Sequence, residues 1–332
     1  MTNPVEVLPP TTTAAASAPL SVRVLRRREV AEGVVALALG PEGGRPLPTW
    51  EPGAHVDVVL PNGLIRQYSL CGDQSNHAEY EIAVLREPLG RGGSAFIHDH
   101  VNVGDTVTLR CPRNHFALEH AAGYRFVAGG IGITPILPML AACTASRAPW
   151  RLHYGGRTRP SMAFTSLLNL YGTRVTVVPE DEFGFIDFDA AFGDLKAGEL
   201  VYVCGPGALI AAVTAHAERL GHPESVRCEV FSTDGVEPEP AAAEGTFEVV
   251  LARSGMTLTI GPGETILERM LAEGIEVFRD CEEGLCGSCE IPVLEGDVEH
   301  HDHVLTSAER EANATMMVCV SRATGSRIVL DV

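Results

Sequence analysis

Four cysteines near the C-terminal end of this 332-residue chain limit what that end can fold around. Cys281, Cys286 and Cys289 stand in the run DCEEGLCGSC, and Cys319 follows 30 positions after Cys289 in MMVCVSR. This C-x4-C-x2-C…C arrangement is the plant-type spacing in which four thiolates hold two irons and two sulfides. A tight loop can surround such a cluster with three soft ligands while a distant fourth closes the site. Gly284, Gly287 and Ser288 keep bulk out of that loop, so that backbone N–H groups can turn toward the sulfurs and tune the potential. Structural zinc is the competing reading, but zinc sites usually take paired C-x2-C units at each end. A chain that ends in a one-electron carrier needs a source of electrons upstream.

The full set of nine cysteines bears on the compartment. Four are committed to the cluster, and Cys71, Cys111, Cys143, Cys204 and Cys228 read for the most part as core residues by default; the odd total argues for a reducing cytoplasm rather than a disulfide framework. No apolar run approaches the ~18 residues of a membrane helix. The opening MTNPVEVLPPTTTAAASAPL has neither a basic start nor an apolar core, and residues 1–20 are expected to be a disordered tail. A net charge of −18 argues against nucleic acid and anionic membranes as partners. From Thr246 onward 16 Asp and Glu face 6 Arg, a net of −10, so more than half of the excess acidity lies in the cluster-bearing quarter.

The length leaves room for two or three domains, and the pattern divides into three. Residues 21–120 carry short strands (VVALALG, AHVDVVL, RQYSLC, YEIAVLRE, DTVTLR) separated by breakers such as Pro52-Gly53 and Pro61-Asn62-Gly63, which predicts an antiparallel β-barrel. Over residues 121–235 strands alternate with helical stretches, which predicts an α/β unit with a parallel sheet. The Pro/Glu/Ala-rich residues 236–245 read as a linker. Residues 246–332 read as an α+β unit: a hairpin from TFEVVLA and MTLTI, a helix over ETILERMLAEG and the cluster loop. A capping box at Thr306 and Glu309 and two closing strands, around Cys319 and over RIVLDV, complete it.

Three further motifs carry chemistry. In VAGGIGITP, Gly129, Gly130 and Gly132 follow a strand, and Thr134 and Pro135 open a helix, so backbone can approach a phosphate at the helix start. This is not the G-x-G-x-x-G fingerprint, and a tight turn without ligand is the plain alternative. In VYVCGPGALI, Cys204-Gly205-Pro206 ends a second strand at the carboxyl edge, where open α/β sheets bind ligands. In the barrel, Arg66-Gln67-Tyr68-Ser69-Leu70 offers an aromatic face and a hydroxyl, and Arg91-Gly92-Gly93-Ser94 offers a glycine turn suited to a phosphate. Tyr68 and Ser69 could equally be strand core and surface. The run HHDH, His300 to His303, reads as a solvated loop, because the cluster already has four ligands.

The order RQYSL, GRGGS, VAGGIGITP, YVCGP, CEEGLCGSC and MVCVSRA resembles the phthalate dioxygenase reductase family over nearly all of the chain after residue 20. The resemblance implies a flavin reductase module fused to a C-terminal ferredoxin-like (β-grasp) 2Fe-2S domain, with FMN and NADH as cofactors. It implies that Arg66, Tyr68, Ser69, Leu70, Gly92, Gly93 and Ser94 bind FMN, and that Gly130, Thr134, Cys204, Gly205 and Pro206 line the nicotinamide site. Phe231 would lie over the flavin ring. FMN rather than FAD is implied by the C-terminal place of the ferredoxin and the lack of an evident adenine-binding insertion.

A nicotinamide gives up two electrons as a hydride, whereas a 2Fe-2S centre takes one, so a flavin is needed between them. Ser69 would hydrogen-bond the flavin N5 region, and Cys204 with Thr134 would hold the nicotinamide over it. Glu180, Asp181 and Glu182 after RVTVVP favour NADH over NADPH by repelling a 2′-phosphate; Arg157 and Arg159 speak against it. The expected protein is a cytoplasmic monomer that serves a terminal Rieske oxygenase, aromatic-ring or O-demethylating, in aromatic catabolism. Its rivals are a reductase for a haem monooxygenase and a redox-sensing module.

Overall fold

The computed structural model describes residues 19–44, 46–88, 90, 92–231, 245–279, 282–285, 287–302, 304–305 and 307–332. The expected tail therefore lies outside the described residues except for Pro19 and Leu20, as does the expected linker except for Gly245. Thr306 of the expected capping box and His303 also lie outside.

Among the described residues the first sheet has six antiparallel strands: β1 (Leu20–Ala31), β2 (Val34–Pro41), β3 (His55–Val59), β4 (Ile65–Ser69), β5 (Tyr80–Leu85) and β6 (Thr106–Leu109), in the order β4-β3-β6-β1-β2-β5. A bridge between Leu70 and Ile82 joins the two edges, which curls the sheet toward a barrel. Its interior is filled by Val22, Val24, Leu37, Leu39, Val56, Val58, Tyr80 and Ile82. The sequence alternation that marks these as strands also selects this face. One element departs from the sequence reading: Gly93 and Ser94 open a helix, Gly93–His100, whose Ile97 is buried in the barrel core.

The second sheet is wholly parallel, with β7 (Gly123–Gly129), β8 (Trp150–Gly156), β9 (Val175–Pro179), β10 (Glu199–Gly205) and β11 (Val226–Val230) in the order β11-β10-β7-β8-β9. The chain leaves β7 for β8 on one side and returns to β10 on the other. That makes the β7–β10 seam the topological switch point, where crevices form at the carboxyl ends of strands. Helices Ile133–Ser146 and Gly207–Arg219 follow β7 and β10. Backbones approach so closely here that a Cβ on Gly132 would stand 2.3 Å from the Cys204 carbonyl oxygen.

The third sheet joins β12 (Phe247–Leu251), β13 (Met256–Ile260), β14 (Glu290–Glu295), β16 (Thr315–Met317) and β18 (Arg327–Leu330) in the order β13-β12-β18-β14-β16, with β15 (Val298–Glu299) and β17 (Arg322–Ala323) as a small extra pair. Only β12 and β18 run parallel, so the two ends of this unit lie side by side in the sheet centre. The helix Ile266–Ala272 is capped by Thr265 and Glu268, each side chain accepting from the other's backbone N–H. Arg322, nearly buried, lies over the Phe247 ring and donates to the carbonyls of Glu264 and Gly261 at 2.7 and 3.1 Å. The three sheets match the expected fold class of antiparallel, parallel and α+β units. Cys319 sits in a turn just past β16 rather than within a closing strand.

Gly132→Ala should destabilise the protein by about 1–3 kcal/mol, because the methyl meets immovable backbone. Gly325→Ala, where a Cβ meets nothing within 4 Å, serves as the control. Equal thermal midpoints for the two variants would contradict the close packing of β7 on β10.

Candidate functional site

Ladder register brings the two described cluster cysteines together. β14 pairs with β16 so that Glu290 faces Met317, and the Val318 N–H donates to the Cys289 carbonyl. Cys289 at the start of β14 and Cys319 after β16 therefore share one end of the ladder, and both are buried in the same apolar cluster. Gly284 and Gly287 hold φ of 69° and 70°, turns that glycine adopts without strain. Cys281 and Cys286 lie outside the described residues. Two buried thiols beside glycine turns fit a soft-metal cluster as donor chemistry.

The barrel motif lies on β4. Ser69 is 5% exposed and its Oγ has no hydrogen-bond partner among the described residues, an orphaned group that normally costs ~1–3 kcal/mol. Such a hydroxyl fits a polar ligand edge. Tyr68 packs against the barrel core, and burial pushes its phenol above the usual range. Arg66 lies across Gly93, where a Cβ would meet its Cγ and Nε at 2.6 Å. Gly92 holds φ 81° as the cap of the helix Gly93–His100, so bare backbone N–H groups and a guanidinium share one place, as a phosphate requires. The Ser94 Oγ accepts from the Glu87 N–H at 3.0 Å, and the Leu70 N–H is committed to Ala54 at 2.8 Å. Arg91 lies outside the described residues.

At the switch point, Gly130 with φ 54° follows β7, and Gly205 and Pro206 follow Cys204 at the end of β10. The glycine turn Gly130–Gly132 packs against β5, the strand bridged to Leu70, so the nucleotide edge and the Ser69 region are neighbours. Cys204 is fully buried, and desolvation keeps its thiol well above the usual thiol range, hence protonated. The Thr134 hydroxyl donates to the Ile131 carbonyl at 2.9 Å, shaping the turn. Phe231, 38% exposed, ends the described part of its segment one residue after β11 at this same edge.

Two residues that local patterns do not reveal join this edge. Glu229 pairs in register with Cys204, its Oε2 is occluded without a hydrogen-bond partner among the described residues, and desolvation pushes its carboxyl up to about 8. The Tyr154 hydroxyl donates to the Gly130 carbonyl at 3.1 Å and pins the turn. Sequence reasoning missed both because their partners are distant in the chain. Of the acidic run after β9, Glu182 is held by Arg159 through bonds of 3.0 and 2.7 Å, so one expected repulsive charge and one expected attractive charge cancel. The reading of HHDH as a solvated loop fails for Asp302, which is 1% exposed and accepts from the Val304 and Leu305 N–H groups.

Comparisons with known proteins agree on the kind of chain this is. Residues 249–324 match the 2Fe-2S iron-sulfur cluster binding domain family. The putative toluene-4-sulfonate monooxygenase system reductase subunit of Comamonas testosteroni is 41% identical over 95% of this chain and 100% of its own. A phthalate dioxygenase reductase structure, described as modular and transferring electrons from pyridine nucleotides to 2Fe-2S, is 35% identical with a TM-score of 0.68 over 95% of this chain and 98% of that one. An intact type IV self-sufficient cytochrome P450 monooxygenase superposes at a TM-score of 0.88 and 39% identity, but this chain spans only 43% of its length.

Two outcomes are expected. Ser69→Ala should leave the cofactor-free protein as stable or up to about 1 kcal/mol more stable, since it removes an unpaired buried hydroxyl; a clear loss of thermal stability would show that Oγ has a structural partner. Glu229 takes up a proton on folding, so its contribution to stability falls as pH rises from about 4.5 to about 8. Relative to Glu229→Gln, the wild type should lose at most about 1.4 kcal/mol per pH unit across that window, read as diverging thermal midpoints.

Proposed function

The chain belongs to the phthalate dioxygenase reductase family, the reductase components of oxygenase systems, and from that premise we propose that it takes electrons from NADH through FMN to its own 2Fe-2S cluster and delivers them to a terminal Rieske oxygenase. The observation that carries this reading is the packing of the Gly130–Gly132 turn against β5, beside the strand end where Ser69 keeps an unpaired hydroxyl. FMN, when bound, accepts a hydride and releases its electrons singly, and the 2Fe-2S cluster carries them one at a time.

The protein's part is to bind and orient. Arg66 and the Gly92, Gly93 and Ser94 backbone hold the FMN phosphate, Tyr68 and Phe231 cover the ring, and Ser69 donates toward its N5 edge. Gly130, Gly205 and Pro206 shape the nicotinamide pocket, with Thr134 and the Cys204 thiol buried behind its wall. Orientation alone makes the transfer effectively intramolecular. Glu229, neutral below pH of about 8, presents a proton donor beside Cys204. Cys281, Cys286, Cys289 and Cys319 ligate the cluster. Residues 21–120, 121–235 and 246–332 are the corresponding functional units. No helix among the described residues is long and apolar enough to cross a membrane.

A haem monooxygenase is the second candidate for the partner, favoured by the superposition on a self-sufficient P450 chain. Purified protein mixed separately with a Rieske oxygenase and a P450 decides between them by which metal centre is reduced. The net charge of −10 after residue 245 favours a basic docking patch on the partner, because complementary charge speeds a brief encounter.

The holoprotein should contain about two irons and two acid-labile sulfides per chain, and Cys289→Ser should abolish the cluster while NADH still reduces ferricyanide. A colourless zinc protein, or an intact cluster signal in the variant, would overturn the assignment. Partner reduction should slow markedly toward 0.5 M salt, where the screening length falls to roughly 4 Å, and on reversal of Glu282 and Glu283 to Lys. NADH-to-ferricyanide turnover should change little under either treatment; a partner reaction equally indifferent to both would show that docking is apolar.

A further inference from the structure

The segment between β6 and β7 touches the cluster loop through a built ion-pair network. Asp57, on β3 and only 1% exposed, accepts two bonds from the Arg113 guanidinium at 2.7 and 2.8 Å and one from the Gln67 amide at 3.0 Å. The same guanidinium reaches across to the Ser288 hydroxyl, with both terminal nitrogens at 3.4 Å. Ser288 immediately precedes Cys289. A second cation on this segment, Arg110, lies 4.0 Å over the ring of Phe278, just ahead of the cluster loop. A third contact is steric: a Cβ on Gly287 would stand 3.2 Å from the His115 Nε2.

This segment is held firmly on the barrel side. Arg113 exchanges backbone bonds of 2.9 and 3.0 Å with His55, and His55 in turn faces Ser69 across β3 and β4. The His55 ring stacks on His115 with centroids 5.7 Å apart, and burial beside Arg113 pushes the His55 pKa down to about 3, so His55 itself is neutral. Asn114 donates to the Pro52 carbonyl at 3.0 Å and accepts from the Phe116 N–H. Ser69, His55 and Arg113 thus stand on three adjacent backbone lines, each step about 5 Å.

We propose that Arg113, oriented by Asp57, is a positioning residue for internal electron transfer: it clamps the cluster loop through Ser288 at a fixed short distance from the Ser69 edge of the barrel. The inference rests on the function proposed above and adds a residue to it. Electron tunnelling falls steeply with distance, so a loop released by even a small displacement carries electrons more slowly. The clamp is polar and charge-assisted, and removing its cation leaves the buried Asp57 carboxylate with only the Gln67 amide at 3.0 Å and the more distant Arg110 at 3.8 Å.

The test uses the full holoprotein, with flavin, iron and sulfide contents measured for every variant. In anaerobic stopped-flow mixing with NADH, Arg113→Met should leave the flavin-reduction phase at its wild-type rate and slow the cluster-reduction phase about tenfold or more. Ser288→Ala should slow the cluster phase as well, and the double variant should be no slower than Arg113→Met, because both changes break the same contact. Arg113→Lys should recover part of the rate. Independently of turnover, amide hydrogen exchange should quicken at residues 110–115 and 287–291 in both Arg113→Met and Ser288→Ala. Cluster reduction at the wild-type rate in loaded variants, additive effects, or unchanged exchange would each overturn the clamp. Should Arg113→Met fail to fold, wild-type cluster reduction in both Ser288→Ala and Arg113→Lys overturns it. Wild-type flavin that NADH does not reduce would instead refute the functional reading, while the exchange experiment would still judge the clamp.

Discussion

Strand β2 is buried on both faces, and the arrangement of the barrel against the parallel-sheet unit depends on it. Val35, Leu37 and Leu39 point into the barrel, whereas Val34 and Ala36, with Ala83 of the neighbouring β5, join the core that contains Phe126, Ile133, Tyr154 and Cys204 of the parallel-sheet unit. Two hydrophobic cores share one strand as their common wall. At about 1.5–3 kcal/mol for each large apolar side chain removed from water, such a wall resists hinge motion far better than a polar contact of similar size. The Gly130–Gly132 turn therefore meets β5 in one defined position, as a transfer that depends on near-contact of reacting atoms requires.

Much of the architecture was legible because it is written in local pattern. Period-two alternation marked the barrel strands, strand–helix alternation marked the parallel sheet, and glycine turns ending β7 and β10 pointed to a shared edge. The helix Gly93–His100 was not legible, because Gly92-Gly93-Ser94 reads as a turn and just two neighbouring residues, Phe96 and Ile97, hold the helix to the core. Glu229, Tyr154, Arg113 and Arg322 escaped for a different reason. Each acts through a partner far away in sequence, and a lone Glu, Tyr or Arg has no period to betray it. Asp302 was misread on the same ground: in a run of histidines it looks solvated, yet the fold uses it to cap its own turn.

The electrostatics of the nucleotide edge are more balanced than the sequence suggests. Three consecutive acids after β9 look strongly repulsive to a phosphate, but Arg159 neutralises one of them, Glu182. The net acidic charge there is therefore smaller than a count of acids implies. At the carboxyl ends of β10 and β11 the opposite holds, since an unremarkable glutamate on an edge strand becomes a neutral acid beside a buried thiol.

The seams between units differ in kind: interdigitated apolar side chains, bordered by the Glu119–Arg227 ion pair, between barrel and parallel sheet, and a handful of polar contacts between barrel and cluster loop. A seam made of interdigitated side chains must be inherited whole, because each half exposes greasy surface without the other. One made of an arginine bonded to a hydroxyl, a ring under a cation and a glycine gap asks for few matching residues. The superposition of this whole chain on part of a longer P450 polypeptide is one instance of how far such cassettes travel. For anyone building hybrid reductases, the acceptor barrel must bring its own counterparts of Asp57 and Arg113.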